Sequence, residues 1–427
     1  MDIFEPCYTY HEPDLVKAAG VYPFFRPIQS SDGPYVTVNG KQAVMLGSNN
    51  YLGLTHHPEV LKAAHDALDR YGTGCTGSRF LNGNLDIHET LERELATFLG
   101  KPGALVFSSG FLANVGSVGL LGSAPDAVLF MANENHASLI DGARMARSRR
   151  MRVFEDAKDL ERQLQKGHDW SHALVLTDGV FSMTGRVADL KSLVALKKKY
   201  GFKLYVDDAH GLGVLGRQGR GAADEQGVMA DVDVLFGTFS KSFASLGGFV
   251  VAEAPIINYL RHKTRTFIFS AALPPASTAA ALEALRVMQR DEHLYTKLWA
   301  NVKFFREGVE ALGYNTLGST TPIIPLWVGS ETQCLRICKE ALDLGLFATP
   351  ALYPAVPPGH AVVRTSVTPA HDQVHLQKAL DVLAEITKKY PVPTVDPATV
   401  PPARAMDLEQ ELAVLMAELA AKSAAGA

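Results

Sequence analysis

From about residue 44 to residue 290, short apolar runs alternate with amphipathic stretches, the pattern of parallel strands joined by crossover helices. ALVFSS (104–109), AVLFMA (127–132), ALVLTD (173–178), KLYVDD (203–208), DVLFGT (233–238) and GGFVVA (247–252) are the candidate strands. Between them lie helices. PEVLKAAHDALDRYG places Val60, Leu61, Ala64, Leu68 and Tyr71 on one face, and LERELATFLG does the same with Leu91, Leu95, Phe98 and Leu99. Each face needs a sheet to cover it. After Arg290 the pattern changes to a long helix, roughly 293–312, and then to elements punctuated by Pro322, Pro325, Pro350, Pro354, Pro357 and Pro358, which read as a smaller α+β domain. KYPVPTVDPATVPPARA (389–405) reads as an extended linker. DLEQELAVLMAELAAK then returns to helical spacing, with Leu408, Leu412, Leu415 and Leu419 on one stripe. The expected division is an N-terminal segment (1–45), a large domain (46–290), a small domain (291–388) and a linker with helical tail (389–427).

A chain of 427 residues, 47% hydrophobic and 20% charged, is long enough for a large α/β core and a second domain. The net charge of −4 gives no basic field, which argues against nucleic acid or an anionic membrane as the main partner and in favour of small molecules. The four cysteines, Cys7, Cys75, Cys334 and Cys338, form no CxxC pair and no cluster with histidine at metal-ligand spacing, so neither a disulfide framework nor a metal site is expected. Cys334 and Cys338, one helical turn apart, read as small buried hydrophobes. MDIFEPCYTYHEPDL lacks a basic region followed by an apolar run, and no stretch approaches the roughly 18 apolar residues of a membrane span, so a cytoplasmic location is expected. The polar face of the tail carries Asp407, Glu409, Glu411 and Glu418 against Lys422. That balance suits packing on protein and leaves at most a weak peripheral membrane association.

The chemistry begins with an acid and a lysine at the ends of consecutive runs, VDDAH (206–210) and GTFSKS (237–242). In a parallel sheet both emerge at the carboxyl edge, where ligands bind. Lys241 there can form an imine with an aldehyde cofactor, and Asp207 can hold a pyridinium proton, which makes such a ring an electron sink. A lysine among small residues is, taken alone, more often merely solvated. SSGFLANVG (108–116) ends a strand and opens a helix, so the N–H groups around Gly110 and Phe111 can face a phosphate at the positive end of the helix dipole. Thr238 and Ser240 add hydroxyls, and the set supplies what pyridoxal 5′-phosphate (PLP) requires. His56, His57, His88, His168 and His172 are assigned no chemistry, because a buried neutral histidine bonded to a carbonyl is commoner than a catalytic one. Arg364 lies in the apolar stretch VVRTS, where either a substrate carboxylate or a structural salt bridge must compensate the guanidinium.

SNNYLGL (48–54), TGSRFLNG (76–83), NHASLIDG (135–142), TDGVFSM (177–183), VDDAHGLGVLG (206–216), GTFSKS (237–242) and VVRTSVTPAH (362–371) follow one another with a family's order and spacing. Over about residues 20–385 the chain resembles the α-oxoamine synthases, a group of fold-type I PLP enzymes. The resemblance implies an α/β transferase fold with a mostly parallel seven-stranded sheet flanked by helices, plus a smaller α+β C-terminal domain. It implies that Lys241 carries PLP as a Schiff base, that Asp207 pairs with the pyridine nitrogen and that His136 stacks on the ring. His210 and Ser182 would lie near the phenolic oxygen, and Gly110, Phe111, Thr238 and Ser240 at the phosphate. FSAALPP (269–275) matches the segment that reaches across a homodimer to complete the phosphate site, through Ser270 and Ala271. Asn50 and Arg364 would serve the substrate.

The reaction so implied is a decarboxylative Claisen condensation of an amino acid with an acyl thioester, with Lys241 as the base and His136 polarising a carboxylate or thioester carbonyl. Residues 237–275, 20–34 and TGSRFLNG look most like bacterial serine palmitoyltransferases, which points to serine and a long-chain acyl-CoA. ALYPAVPPG is more similar to 2-amino-3-ketobutyrate CoA ligase, which uses glycine and acetyl-CoA, and 8-amino-7-oxononanoate synthase is a further alternative. A non-catalytic partner subunit is disfavoured by the presence of Lys241, Asp207 and His136. A simple aminotransferase would leave pyridoxamine phosphate and an oxo acid. Two positions depart from the pattern. Leu352 stands where many relatives carry the arginine of an Arg-Pro-Pro segment, so carboxylate binding would rest on Arg364 alone, and Arg186 occupies a position that is often acidic.

Overall fold

All six apolar runs form strands, and a seventh joins them: β1 (Gly103–Phe107), β2 (Val128–Ala132), β3 (Met151–Phe154), β4 (Ala173–Asp178), β5 (Lys203–Asp207), β6 (Val234–Thr238) and β7 (Gly248–Ala252). The computed structural model describes residues 2–402 other than 149 and 168, together with residue 417. His168 and the tail helix expected beyond the linker lie outside the described residues. The sheet order is β1-β7-β6-β5-β4-β2-β3. β7 runs antiparallel to β1 and β6, and every other pair is parallel. Strands β2, β4, β6 and β7 are buried at every residue, because helices cover both faces. That is why they read as unbroken apolar runs. β3 is an edge strand in which only Phe154 is buried, so its sequence MRVF carries no such run.

Register fixes the chemistry. Asp178 at the end of β4 stands opposite Asp207 at the end of β5, and Asp207 stands opposite Phe236 in β6. β6 ends at Thr238, three residues before Lys241, so these groups leave the sheet at one edge. Beneath them Leu105, Phe107, Leu129, Leu176, Phe236 and Val250 pack with Ala113, Val118 and Leu139 of the covering helices.

Helix Asp86–Leu99 buries Leu91, Leu95, Phe98 and Leu99, as its spacing predicts. Helix Pro58–Tyr71 does not. It packs on helix Pro275–Arg290, with Val60 and Ala67 buried and Leu61 and Leu68 exposed.

Contacts divide the chain into two units. One is Asn49–Trp299 with Thr320–Pro322, which holds the seven-stranded sheet. The other joins Met1–Ser48 to Ala300–Ser319 and Ile323–Ala427. In the second unit Ala361–Ser366 is the central strand between Ile323–Gly329 and Thr349–Ala351, with helix Glu331–Asp343 packed against this antiparallel sheet. Cys334 and Cys338 are buried on that helix. The meander Ile28–Asp32, Tyr35–Val38, Lys41–Met45 is extended by Leu346–Phe347, which pairs parallel to Lys41–Met45 and ties the first 48 residues to the C-terminal region. Leu352 packs on Val16, Ala19, Val21 and Leu335, so the position at which the resemblance suggests an arginine belongs to an apolar cluster. No helix among the described residues is long and apolar enough to cross a membrane.

Candidate active site

Asp207 is buried where β5 ends, and two donors hold its carboxylate: Ala209 N at 3.0 Å from Oδ1 and Asn114 Nδ2 at 2.6 Å from Oδ2. Lys241 Nζ lies 2.7 Å from His210 Nε2, and His210 Nδ1 lies 2.7 Å from Tyr51 Oη. Tyr51 Oη donates its one proton to Asn49 Oδ1 at 3.1 Å, so His210 Nδ1–H donates to Tyr51. His210 Nε2 then presents a lone pair to the Lys241 amine.

His136 caps the helix Ala137–Met145, with Ser138 N donating to its Nδ1 at 3.3 Å. Its own backbone N–H donates to Asp178 Oδ1 at 3.1 Å, and Asp178 N donates to Asn135 Oδ1 at 3.1 Å. The open face of His136 meets solvent, yet enough protein rings the imidazole for desolvation to lower its pKa; the Asp207 charge raises it and the Lys241 charge lowers it again. Burial, reinforced by the Asp207 charge, holds the Asp178 carboxyl well above the usual carboxylate range. The next acid of the motif has a different task. Asp208 is fully buried, and its Oδ2 accepts from Ala222 N at 2.7 Å. A Cβ on Gly179 or Gly211 would fall 2.4 or 2.1 Å from Asp208 Oδ1, so glycine is required around it. Burial there pushes the carboxyl up to about 7.

The helix Gly110–Leu121 starts at Ser109, whose side chain makes no cap hydrogen bond. Its first-turn amides therefore lack a side-chain cap from that residue, at the positive end of the helix dipole. A Cβ on Gly110 would lie 2.8 Å from Thr238 Oγ1, which shows how closely this turn approaches the hydroxyls. Thr238 donates to Gly247 O at 3.0 Å and so accepts from Ser240 Oγ at 2.9 Å. Ser240 and Phe111 are exposed. A helix N-terminus lined by hydroxyls, a lysine and a buried carboxylate form a donor set that fits PLP: Gly110, Phe111, Thr238 and Ser240 suit its phosphate, Asp207 its ring nitrogen and Lys241 its aldehyde.

The remaining expected residues lie around or apart from this set. Ser182 is half-buried in the turn closed by the Val180–Val187 bridge. Arg186, in the same turn, pairs with Glu134, which also accepts from Thr184 Oγ1 at 3.3 Å, and its guanidinium lies 4.7 Å from the Phe181 ring. A carboxylate beside the His136 motif thus accounts for a basic residue at this position. Asn50 Nδ2 donates to Thr55 Oγ1 at 2.9 Å. Ser270 is half-buried and Ala271 exposed, next to Ala272, whose N–H donates to Gly77 O at 2.9 Å. Arg364 is buried in the other unit, on the central strand opposite Pro325 and Thr349. His88 is structural: Leu85 N donates to its Nδ1 at 3.0 Å and its Nε2 donates to Leu273 O at 2.8 Å. Tyr51, Asn114, Ser138 and Asp178 lie within the quoted motifs and bond to the expected site residues, but the motifs alone do not single them out.

The sequence model of the aminotransferase class I and II family matches residues 41–383. A serine palmitoyltransferase of Bacteriovorax stolpii is 47% identical over 382 residues, 89% of this chain and 91% of that protein. An 8-amino-7-oxononanoate synthase of Thermoanaerobacter pseudethanolicus is 42% identical over 377 residues, 88% of this chain and 95% of that protein. Among solved structures, a lysine-to-alanine variant of the S. paucimobilis serine palmitoyltransferase carrying a PLP–myriocin adduct superimposes with a TM-score of 0.87 at 31% identity, covering 92% of this chain and all of that one. The sheet is accordingly that of the fold-type I PLP transferases. With a donor set that fits PLP and likeness of this extent, the chain belongs to the aminotransferase class I and II family, as a PLP-dependent acyltransferase of the α-oxoamine synthase type.

Proposed function

We propose that this chain condenses L-serine with a long-chain acyl-CoA, palmitoyl-CoA, releasing CoA and CO2 and forming 3-oxosphinganine, the first step of sphingolipid synthesis. The observation that carries the reaction class is the Lys241 amine, 2.7 Å from His210, at the same sheet edge as the tethered Asp207 carboxylate. PLP, when bound, supplies an aldehyde for the amino group and a ring that withdraws electrons from the substrate α-carbon. Asp207 would hold the proton at the ring nitrogen, and its two N–H donors keep its carboxylate in place. Lys241 Nζ, the amine that would hold PLP, is the group that would take the α-proton of the amino acid. His210 Nε2 accepts a hydrogen bond from that amine, while Tyr51 and Asn49 fix the imidazole. Ser182 and His210 would lie beside the phenolic oxygen of bound PLP. The Gly110 and Phe111 amides would hold the phosphate with Thr238 and Ser240, and Asn50 and Arg364 would serve the amino acid, Arg364 by pairing with the substrate carboxylate.

The working unit in this reading is a homodimer in which Ser270 and Ala271 complete the partner's phosphate site. Leu61, Leu68, Leu81 and Phe269 are large apolar side chains exposed on the unit that carries the site, as residues covered by a second copy would be. Serine is favoured by the likeness to serine palmitoyltransferases at 40–47% identity. The 8-amino-7-oxononanoate synthases at 40–43% identity keep a second reading open, alanine with a seven-carbon dicarboxylic acyl thioester, as that product's name requires. An acyl panel decides: serine, glycine and alanine against acetyl-, seven-carbon dicarboxylic and palmitoyl-CoA, following CoA release. Turnover with serine and palmitoyl-CoA supports the proposal. Turnover confined to glycine with acetyl-CoA, or to alanine with the dicarboxylic donor, overturns it.

A further inference from the structure

Asn114 is fully buried on a helix whose neighbouring positions are Ala113, Val115 and Val118, an unusual place for an amide. Its partners explain it. Tyr205 Oη donates to Asn114 Oδ1 at 2.8 Å, while Asn114 Nδ2 lies 2.6 Å from Asp207 Oδ2 and 2.9 Å from Ser138 Oγ. A carboxylate only accepts, so the amide has one orientation and both Nδ2 hydrogens are committed. Ser138 Oγ thus receives a hydrogen from Asn114. Its single proton is left for His136 Nδ1, 2.7 Å away, where the Ser138 backbone N–H also points at 3.3 Å. Two donors converge on His136 Nδ1, which must carry a lone pair. The ring proton then sits on Nε2, and Nε2 makes no hydrogen bond among the described residues.

We propose that Asn114 and Ser138 are positioning residues that relay hydrogen-bond order from the Asp207 carboxylate to His136 and hold that ring as its Nε2–H tautomer, a donor to a substrate carboxylate or acyl carbonyl. The inference rests on the PLP reading above. The opposite tautomer would set N–H against the two Ser138 donors and turn Nε2 into an acceptor, unable to bond a carbonyl oxygen. Desolvation in the cleft favours the neutral ring that this order needs. The carboxylate meant for the cofactor nitrogen therefore also sets the polarity of the imidazole at the opposite end of the chain of bonds.

The test is the ring ¹⁵N spectrum of PLP-loaded, ¹⁵N-histidine-labelled enzyme at neutral pH, with the His136 signals assigned by their loss in His136→Asn. The expected wild-type pattern is a protonated Nε2 and an unprotonated Nδ1. Ser138→Ala should mix the tautomers and lower kcat about tenfold while visible PLP absorbance is retained, and Ser138→Thr should restore both. Asn114→Leu should act like Ser138→Ala. A protonated Nδ1 in the wild type overturns the proposal, and so does a wild-type ring pattern in Ser138→Ala. The wild-type spectrum needs neither positioning variant, so misfolding of Asn114→Leu does not remove the test. Failure of the wild type to bind PLP would instead sink the cofactor assignment on which this inference stands.

Discussion

Glu92 is the acid around which the TGSRFLNG loop is held, and Glu92→Gln exchanges a single oxygen for NH2. Glu92 Oε1 accepts from Arg79 Nη1 at 2.5 Å and from Val106 N at 2.9 Å. Oε2 accepts from Arg79 Nη2 at 3.2 Å and from Arg261 Nη2 at 2.8 Å. The Arg79 and Glu92 side chains are only 3% and 6% exposed. Glutamine keeps an acceptor for Val106, sets NH2 against a guanidinium and leaves a buried Arg79 without a counter-charge. Removing one partner of such a pair costs about 3–5 kcal/mol. The Arg286–Glu94 pair, 43% and 28% exposed, is the internal control, and Glu94→Gln should cost under about 1 kcal/mol. The assay is urea unfolding at matched protein and PLP concentrations, read as a midpoint shift at unchanged slope. Because Ala272 N donates to Gly77 O and Cys75 Sγ to Leu273 O, loosening the loop should also free residues 269–275 and weaken PLP binding. A Glu92→Gln protein as stable as Glu94→Gln would refute the view that this buried cluster anchors the loop.

Gly110→Ala would place a methyl 2.8 Å from Thr238 Oγ1 and 3.2 Å from its Cβ. That overpacking, about 1–2 kcal/mol, should raise the PLP Kd roughly tenfold in a fluorescence titration, and an unchanged Kd would count against the phosphate cradle. Asp208 holds its proton up to about 7, against roughly 4 in the unfolded chain, so between those values the native state binds more protons and stability falls as pH rises. The contribution is fully present below about 4 and lost through about 7. Asp208→Asn should flatten that slope in unfolding midpoints measured across the window; an unaltered slope would show that another group carries it.

Much of the sheet is readable from sequence because strands covered on both faces must be apolar throughout, whereas β3, exposed along most of its length, leaves no comparable mark. Helical spacing shows that Pro58–Tyr71 is amphipathic but not which part of its stripe meets a neighbour, and small Ala67 is buried while Leu61 and Leu68 are exposed. That Lys241 and Asp207 share the carboxyl edge follows from their places after consecutive strands. The groups that orient them do not follow in this way, since Tyr51 reaches His210 and Asn114 reaches Asp207 only through tertiary packing. One mark was available: Asn114 and Ser117 interrupt an otherwise apolar helix, and both are buried. Arg186 likewise becomes intelligible only once Glu134 is beside it.

The central claim, that Lys241 is the residue joined to PLP, is tested by reducing the PLP-loaded enzyme with borohydride and locating the modified peptide by mass spectrometry. The account predicts a single pyridoxyl group on Lys241, and its loss together with the visible absorbance and turnover in Lys241→Ala. A label on another lysine, or visible absorbance and turnover retained in Lys241→Ala, would contradict it.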